Sequence, residues 1–217
     1  MSTTAAPVPP WRQLAWNEAW RALGGAAADE SRYAELIAAW SEPHRRYHTL
    51  QHLDECLALF ERVRPLAQAP GEVALALFFH DAHYDPRRHD NEERSACWAR
   101  ASIVQAGAAA AVADRVQALV LATRHDAVPA GADAQLLVDI DLAILGTEPQ
   151  RFDEYERQVR LEYAHVPEPD YRAGRTHILR RFLARPRIYS TAPLAAWFEA
   201  AARQNLARAL ARLAGPS

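Results

Sequence analysis

Phe78-Phe79-His80-Asp81-Ala82-His83-Tyr84-Asp85 closes an apolar run that begins Val73-Ala74-Leu75-Ala76-Leu77. The run reads as a core helix opened by Pro70, and it ends in a tandem imidazole and carboxylate. Burying those two groups is costly unless a cation sits between them. A divalent metal would serve, so the stretch predicts both a central helix and a chemical site at its end. Taken alone, a helix C-terminus with a dipole-compensating histidine is an equally good account of His80-Asp81. Partners elsewhere in the chain decide against it.

Working outward, Tyr47-His48-Thr49-Leu50-Gln51-His52 lies upstream, and Thr123-Arg124-His125-Asp126 and Leu136-Leu137-Val138-Asp139-Ile140-Asp141 lie downstream. His48 and His52 are four apart and share a helix face. Seven of the nine histidines fall between His44 and His125. Asp139 and Asp141 have few polar neighbours in sequence, and uncompensated burial of a carboxylate costs several kcal/mol. Two positions apart on a helix they point about 200° away from each other. One can face a metal; the other is expected to pair with an arginine or a backbone donor. Imidazole nitrogen with carboxylate oxygen suits zinc, manganese, iron, cobalt or nickel, with a water-completed magnesium site also allowed, as one or two ions. Such a metal lowers the pKa of bound water and presents hydroxide as nucleophile. Arg45, Arg46, Arg124 and Arg175 are candidate clamps for an oxyanion such as phosphate.

The 217 residues, half of them hydrophobic, suffice for one well-filled core. All 25 basic residues are Arg, so lysine chemistry is excluded. A net charge of -2 gives no electrostatic case for nucleic acid or an anionic membrane. Cys56 and Cys97 make no disulfide framework, and no paired-cysteine zinc pattern exists. Met1 to Pro10 lacks the basic segment and apolar core of a signal peptide, and no run reaches the ~18 apolar residues of a membrane span, so a cytoplasmic location is expected. Residues 1–9 are expected to be disordered.

Proline at helix starts and glycine past their ends divide the rest. Pro10 to Gly24, Asp29 or Ser31 to Trp40, Thr49 to Pro65, Asp90 to Gly107, Ala108 to Arg124, a helix through Asp139 and Asp141 to Gly146, Pro149 to Tyr163, a run ending at Phe182-Leu183, and Pro193 to Leu213 join the apolar helix. No period-two alternation, internal repeat or long linker interrupts them. The expected fold is one all-α domain, residues 1–217, a bundle of about nine or ten helices delivering ligands to a cleft.

His52, His80-Asp81 and Asp141 resemble the His, His-Asp, Asp ligand set of the HD-domain metal-dependent phosphohydrolases. Arg45 to His52, Phe79 to Pro86, Asn91 to Ala96, Asp139 to Gly146, Arg160 to Tyr163 and Arg180 to Arg185 are similar to a bacterial branch described as predicted HD-superfamily hydrolases. Tyr47-His48 with His52 also resembles the Tyr-His-Asn-x-x-His motif of cyclic-nucleotide phosphodiesterases, with Thr49 in place of Asn. The resemblance implies His52, His80, Asp81 and Asp141 as metal ligands, His48 as general acid and Asp81 as a catalytic carboxylate. It places Thr123 and His125 near substrate. The implied activity is hydrolysis of a small phosphate ester, a nucleotide being one candidate. The alternatives are a cyclic-nucleotide-type phosphodiesterase, a non-catalytic module that binds metal and nucleotide, and a helical protein whose histidines are coincidental.

Overall fold

The computed structural model describes residues 10–24 and 29–215. The expected disorder of residues 1–9 falls outside them. Ten α-helices are present among the described residues: α1 (Pro10–Ala22), α2 (Glu30–Trp40), α3 (Leu50–Val63), α4 (Pro70–Phe79), α5 (Asn91–Gln105), α6 (Ala110–Leu121), α7 (Ala132–Asp141), α8 (Pro149–Glu162), α9 (Glu168–Leu183) and α10 (Ala192–Ala214). Strands are absent among those residues, and the protein is all-α. Short 3-10 turns follow α3, α6 and α7 at Arg64–Leu66, Ala122–Arg124 and Leu142–Gly146. No helix among the described residues is long and apolar enough to cross a membrane.

α4 is buried on every side from Gly71 to Phe79, and α1, α3, α5, α6 and α7 pack around it. Val73, Leu75, Leu77, Phe78 and Phe79 are each worth about 1.5–3 kcal/mol when fully buried. Their sum exceeds the several kcal/mol that burying one ion costs. The helix can therefore carry His80-Asp81 into the interior as a load on an otherwise favourable packing. Gly71 permits part of that packing: a Cβ on it would lie 2.6 Å from Ala22 Cβ, across the α1–α4 contact.

The helix ends follow local chemistry. Asp29 caps α2 by accepting from Ser31 N, and Thr49 caps α3 by accepting from Gln51 N. Gly107, at φ 79°, ends α5 while Ala108 N bonds back to Ile103 O. Asp90 departs from expectation: it precedes α5, but its carboxylate is held by Arg88 and caps nothing. The helix through Asp141 also ends earlier than the glycine signal suggests. It tightens into the 3-10 turn Leu142–Gly146, and a Cβ on Gly146 would lie 2.5 Å from Phe198 Cβ, so the turn lies directly against α10.

Asp139 and Asp141 diverge as helix geometry requires. Asp139 accepts from Ser190 N, Thr191 N and Thr191 Oγ1 at 2.6–2.8 Å and so fastens the start of α10. Burial pushes its carboxyl pKa up, against these donors. Asp139→Ala leaves buried amides without partners and should lower stability by about 1–3 kcal/mol, read by chemical denaturation. An unchanged midpoint would mean that water replaces the carboxylate at no cost.

Candidate functional site

Four side chains, His52, Cys56, His80 and Asp141, bring one donor atom each to within 4.8 Å of one another, a group that could hold a metal ion. They come from α3, the end of α4 and the end of α7. His52 Nε2 lies 3.1 Å from His80 Nε2 and 3.1 Å from Asp141 Oδ1. His80 Nε2 is 3.6 Å from the same oxygen. Asp81 Oδ2 completes the approach, 3.2 Å from His80 Nε2 and 3.9 Å from His52 Nε2. Metal bonds of ~2.0–2.2 Å place neighbouring ligand atoms about 2.8–3.6 Å apart, depending on geometry, a range that holds every separation here except the 3.9 Å from Asp81 to His52.

The protons point the same way. His80 Nδ1 is 2.7 Å from Leu77 O, and a carbonyl only accepts, so Nδ1 carries the hydrogen and Nε2 of the neutral ring presents a lone pair to two carboxylates. Such a convergence needs a positive charge. Burial pulls the His80 pKa down, but Asp81 and Asp141 outweigh it and hold the ring up to about 9. Burial would raise the two carboxyl pKa values, yet His80 and His48 draw Asp81 down, and His125, His52 and His80 draw Asp141 down.

Cys56 is a poorer ligand than its proximity suggests. A sulfur sharing a metal with His52 Nε2 would lie on the outer side of that nitrogen, farther from Nδ1. Sγ is instead 3.7 Å from Nδ1 and 3.8 Å from Nε2, against the body of the ring. Burial, then Asp141 and Asp81, pushes its thiol pKa well up and keeps it protonated. His52 Nδ1 also lies 3.0 Å from the Tyr47 hydroxyl. His125 lies at the edge of the group and orients a ligand: its Nε2, 3.0 Å from Asp141 Oδ2, donates to that oxygen and leaves Oδ1 for the cluster. It does so from a left-handed backbone position, φ 57°, with its carbonyl held by Arg185.

His48 stands beside this cluster, in the turn before the Thr49 cap of α3 and so off the helix face that its spacing from His52 suggested. Its Nδ1 donates to Glu162 Oε2 at 2.8 Å, since a carboxylate only accepts. Tyr84 stacks on the ring at 3.9 Å and donates its hydroxyl to the same oxygen. The other oxygen of Glu162 accepts from the backbone N–H groups of Arg46, Tyr47 and His48 at 2.8–3.1 Å. Burial would raise the Glu162 pKa, but His48 and these donors bring it down to about 2. Burial likewise lowers His48, and Glu162 with Asp81 reverses this, so its pKa is raised. Glu162 is the central residue that sequence reading missed. It sits at the end of α8 in Arg160-Leu161-Glu162-Tyr163, a stretch noted above for its resemblance with no role given to the carboxylate, and its neighbour Leu161 is exposed.

The arginines expected as phosphate clamps are mostly engaged elsewhere. Arg45 is buried and donates to His48 O, Asp81 O and Ala82 O, tying the His48 loop to the His80-Asp81 turn. A fork saturated by carbonyls cannot also grip an anion. Arg46 is exposed and turns to Pro43 O. Arg175 lies in the wall of the cavity but is paired with Glu156 and the Tyr155 hydroxyl. Arg124 pairs with Glu93. Thr123 donates to Val120 O in its own turn. Arg181 is the cavity-lining arginine that makes no ion pair or hydrogen bond among the described residues.

His48, Asp81, His125 and Asp141 open into a cavity of about 630 Å³. Its wall is mixed: Leu142, Leu145, Tyr155, Tyr163 and Phe182 give it apolar and aromatic surface, and its basic residues include Arg181 and Arg185. Comparison with protein families, curated proteins and solved structures finds no family model, no curated protein and no solved structure that matches the chain.

Proposed function

We propose that the protein is a metal-dependent hydrolase of phosphate esters, with His52, His80, Asp81 and Asp141 as the metal ligands and His48 as general acid. The observation that carries this reading is a convergent two-histidine, two-carboxylate set whose carboxylates line one cavity together with an anchored imidazole. A divalent cation held there supplies Lewis acidity, which activates a water and polarises a phosphoryl oxygen. His48, with Nδ1 fixed on Glu162, has only Nε2 free to carry a proton to the leaving oxygen. As water adds to phosphorus and the ester P–O bond breaks, that proton neutralises the departing alkoxide. His125 keeps Asp141 in its rotamer, and Arg45 holds the two backbone segments that carry His48 and Asp81 at a fixed separation. Arg181 is placed to attract the anionic substrate.

The test separates the two histidines of α3 and its leading loop. His48→Ala should keep the metal and lower turnover by roughly 10²–10⁴, the usual weight of general acid catalysis. The loss should be smaller for a nitrophenyl ester, whose leaving oxygen departs without a proton. His52→Ala should lose the metal. Metal content and turnover on a good and a poor leaving group are the readouts. Loss of metal in His48→Ala, or the same penalty on both esters, would end the acid assignment. A metal-loaded protein that cleaves no phosphate ester on a broad panel would instead favour a binding module.

A further inference from the structure

Gly174 stands in the middle of α9, a position where glycine weakens a helix because it is the residue most free in the unfolded chain. Other glycines have local reasons: Gly107 needs its positive φ, and Gly71 and Gly146 allow close approaches. Gly174 has neither. Its φ is ordinary, and a Cβ built on it meets no atom within 4 Å. It lines the cavity, as does Ile178 one turn further on, which is 41% exposed. A missing side chain and a wetted isoleucine at i and i+4 occupy one strip of the helix, and both are unfavourable for the fold by itself. Tyr163, Val166 and Tyr171 line the same cavity. The strip is close to the metal ligands through a short chain of contacts: Arg175, the neighbour of Gly174, donates to the Tyr155 hydroxyl, Tyr155 packs on Tyr47 at 4.5 Å, and Tyr47 packs on His52 at 4.7 Å.

We propose that Gly174 determines specificity: its absent side chain leaves room along α9 for an aromatic or similarly bulky apolar group of the substrate, which covers Ile178. The proposal rests on the phosphate-ester reading for what that group is attached to. The size of the space and its apolar lining explain both unfavourable residues at once, and a small polar substrate would explain neither.

Gly174→Leu tests it with little danger to the fold, because leucine is the better helix former and its Cβ meets no atom within 4 Å. Two substrates are compared, each as the ratio of variant to wild type: 2-naphthyl phosphate, which is large, and acetyl phosphate, which is small and reactive. The expected result is a fall in kcat/KM of at least about tenfold for the naphthyl ester, mostly through KM, and a change within about twofold for acetyl phosphate. Equal losses, or none on either, would overturn the proposal and leave the hydrolase reading standing. Calorimetry with 2-naphthylmethylphosphonate and methylphosphonate gives the second readout, independent of turnover. Tighter binding of the naphthyl compound by wild type, by at least about tenfold and cancelled in Gly174→Leu, supports the subsite even if no ester is cleaved. Absence of that preference, or its survival in Gly174→Leu, overturns it.

Discussion

Asp81→Ala should lose the bound metal and all measurable turnover while keeping a helical circular dichroism spectrum. Asp81 Oδ2 faces both imidazole nitrogens, and loss of even an outer-shell partner typically costs 10–100-fold in metal affinity, so removal of a direct ligand should cost more than about a hundredfold. The fold should survive because one anion leaves together with the cation that it balanced, and α4 retains its apolar packing. Cys56→Ala is the matching control. It removes the thiol that lies near the cluster and should leave metal content unchanged, since Sγ sits against the body of the His52 ring. Full occupancy in Asp81→Ala together with loss in Cys56→Ala would transfer the ligand role from the carboxylate to the thiol.

Glu162→Ala should be the most destabilising of the substitutions. It would remove a fully buried carboxylate that accepts from three backbone N–H groups, the His48 ring and the Tyr84 hydroxyl. Breaking a buried charged pair from one side costs about 3–5 kcal/mol. The sign of its pH dependence follows from its depressed pKa. The carboxyl moves from its ordinary 4.5 down to about 2, so its stabilisation is fully present above 4.5 and fades as pH falls toward 2. A shift of that size corresponds to on the order of 3 kcal/mol. Chemical denaturation of wild type and Glu162→Gln at several pH values reads the difference, which should be largest between about pH 4.5 and 6.5, where the raised pKa of His48 also contributes, and shrink in that acid window. A constant difference between pH 7 and pH 3 would contradict the linkage.

The helices were legible because their punctuation is local. Pro70, Pro149, Thr49 and Gly107 act on the backbone beside them, and the composition of Val73 to Phe79 can only be satisfied in a core. The approach of His52, His80 and Asp141 to one another was legible for a related reason: polar groups inside apolar runs must be compensated, and Asp139 and Asp141 had to diverge. Arg45 misled because a guanidinium that donates to carbonyls and one that grips phosphate have the same sequence appearance. Glu162 escaped because its partners are backbone amides some 115 residues away, which no spacing rule connects to α8. Asp90 reads as a helix cap until Arg88 is seen to take its carboxylate.

The grip of Glu162 on Arg46, Tyr47 and His48 also orders the assembly of the molecule in time. In a chain emerging from its N-terminus, His52, His80, Asp81 and Asp141 have all been made before α8 is complete. The loop with His48 must wait for Glu162, across a separation of 114 residues, before its amides find their acceptor. The cluster itself closes 89 residues between His52 and Asp141, so the two closures cost similar chain entropy and the order of synthesis is what separates them. In the proposed reading, the four residues that would gather a cation are thus synthesised before the carboxylate that fixes His48.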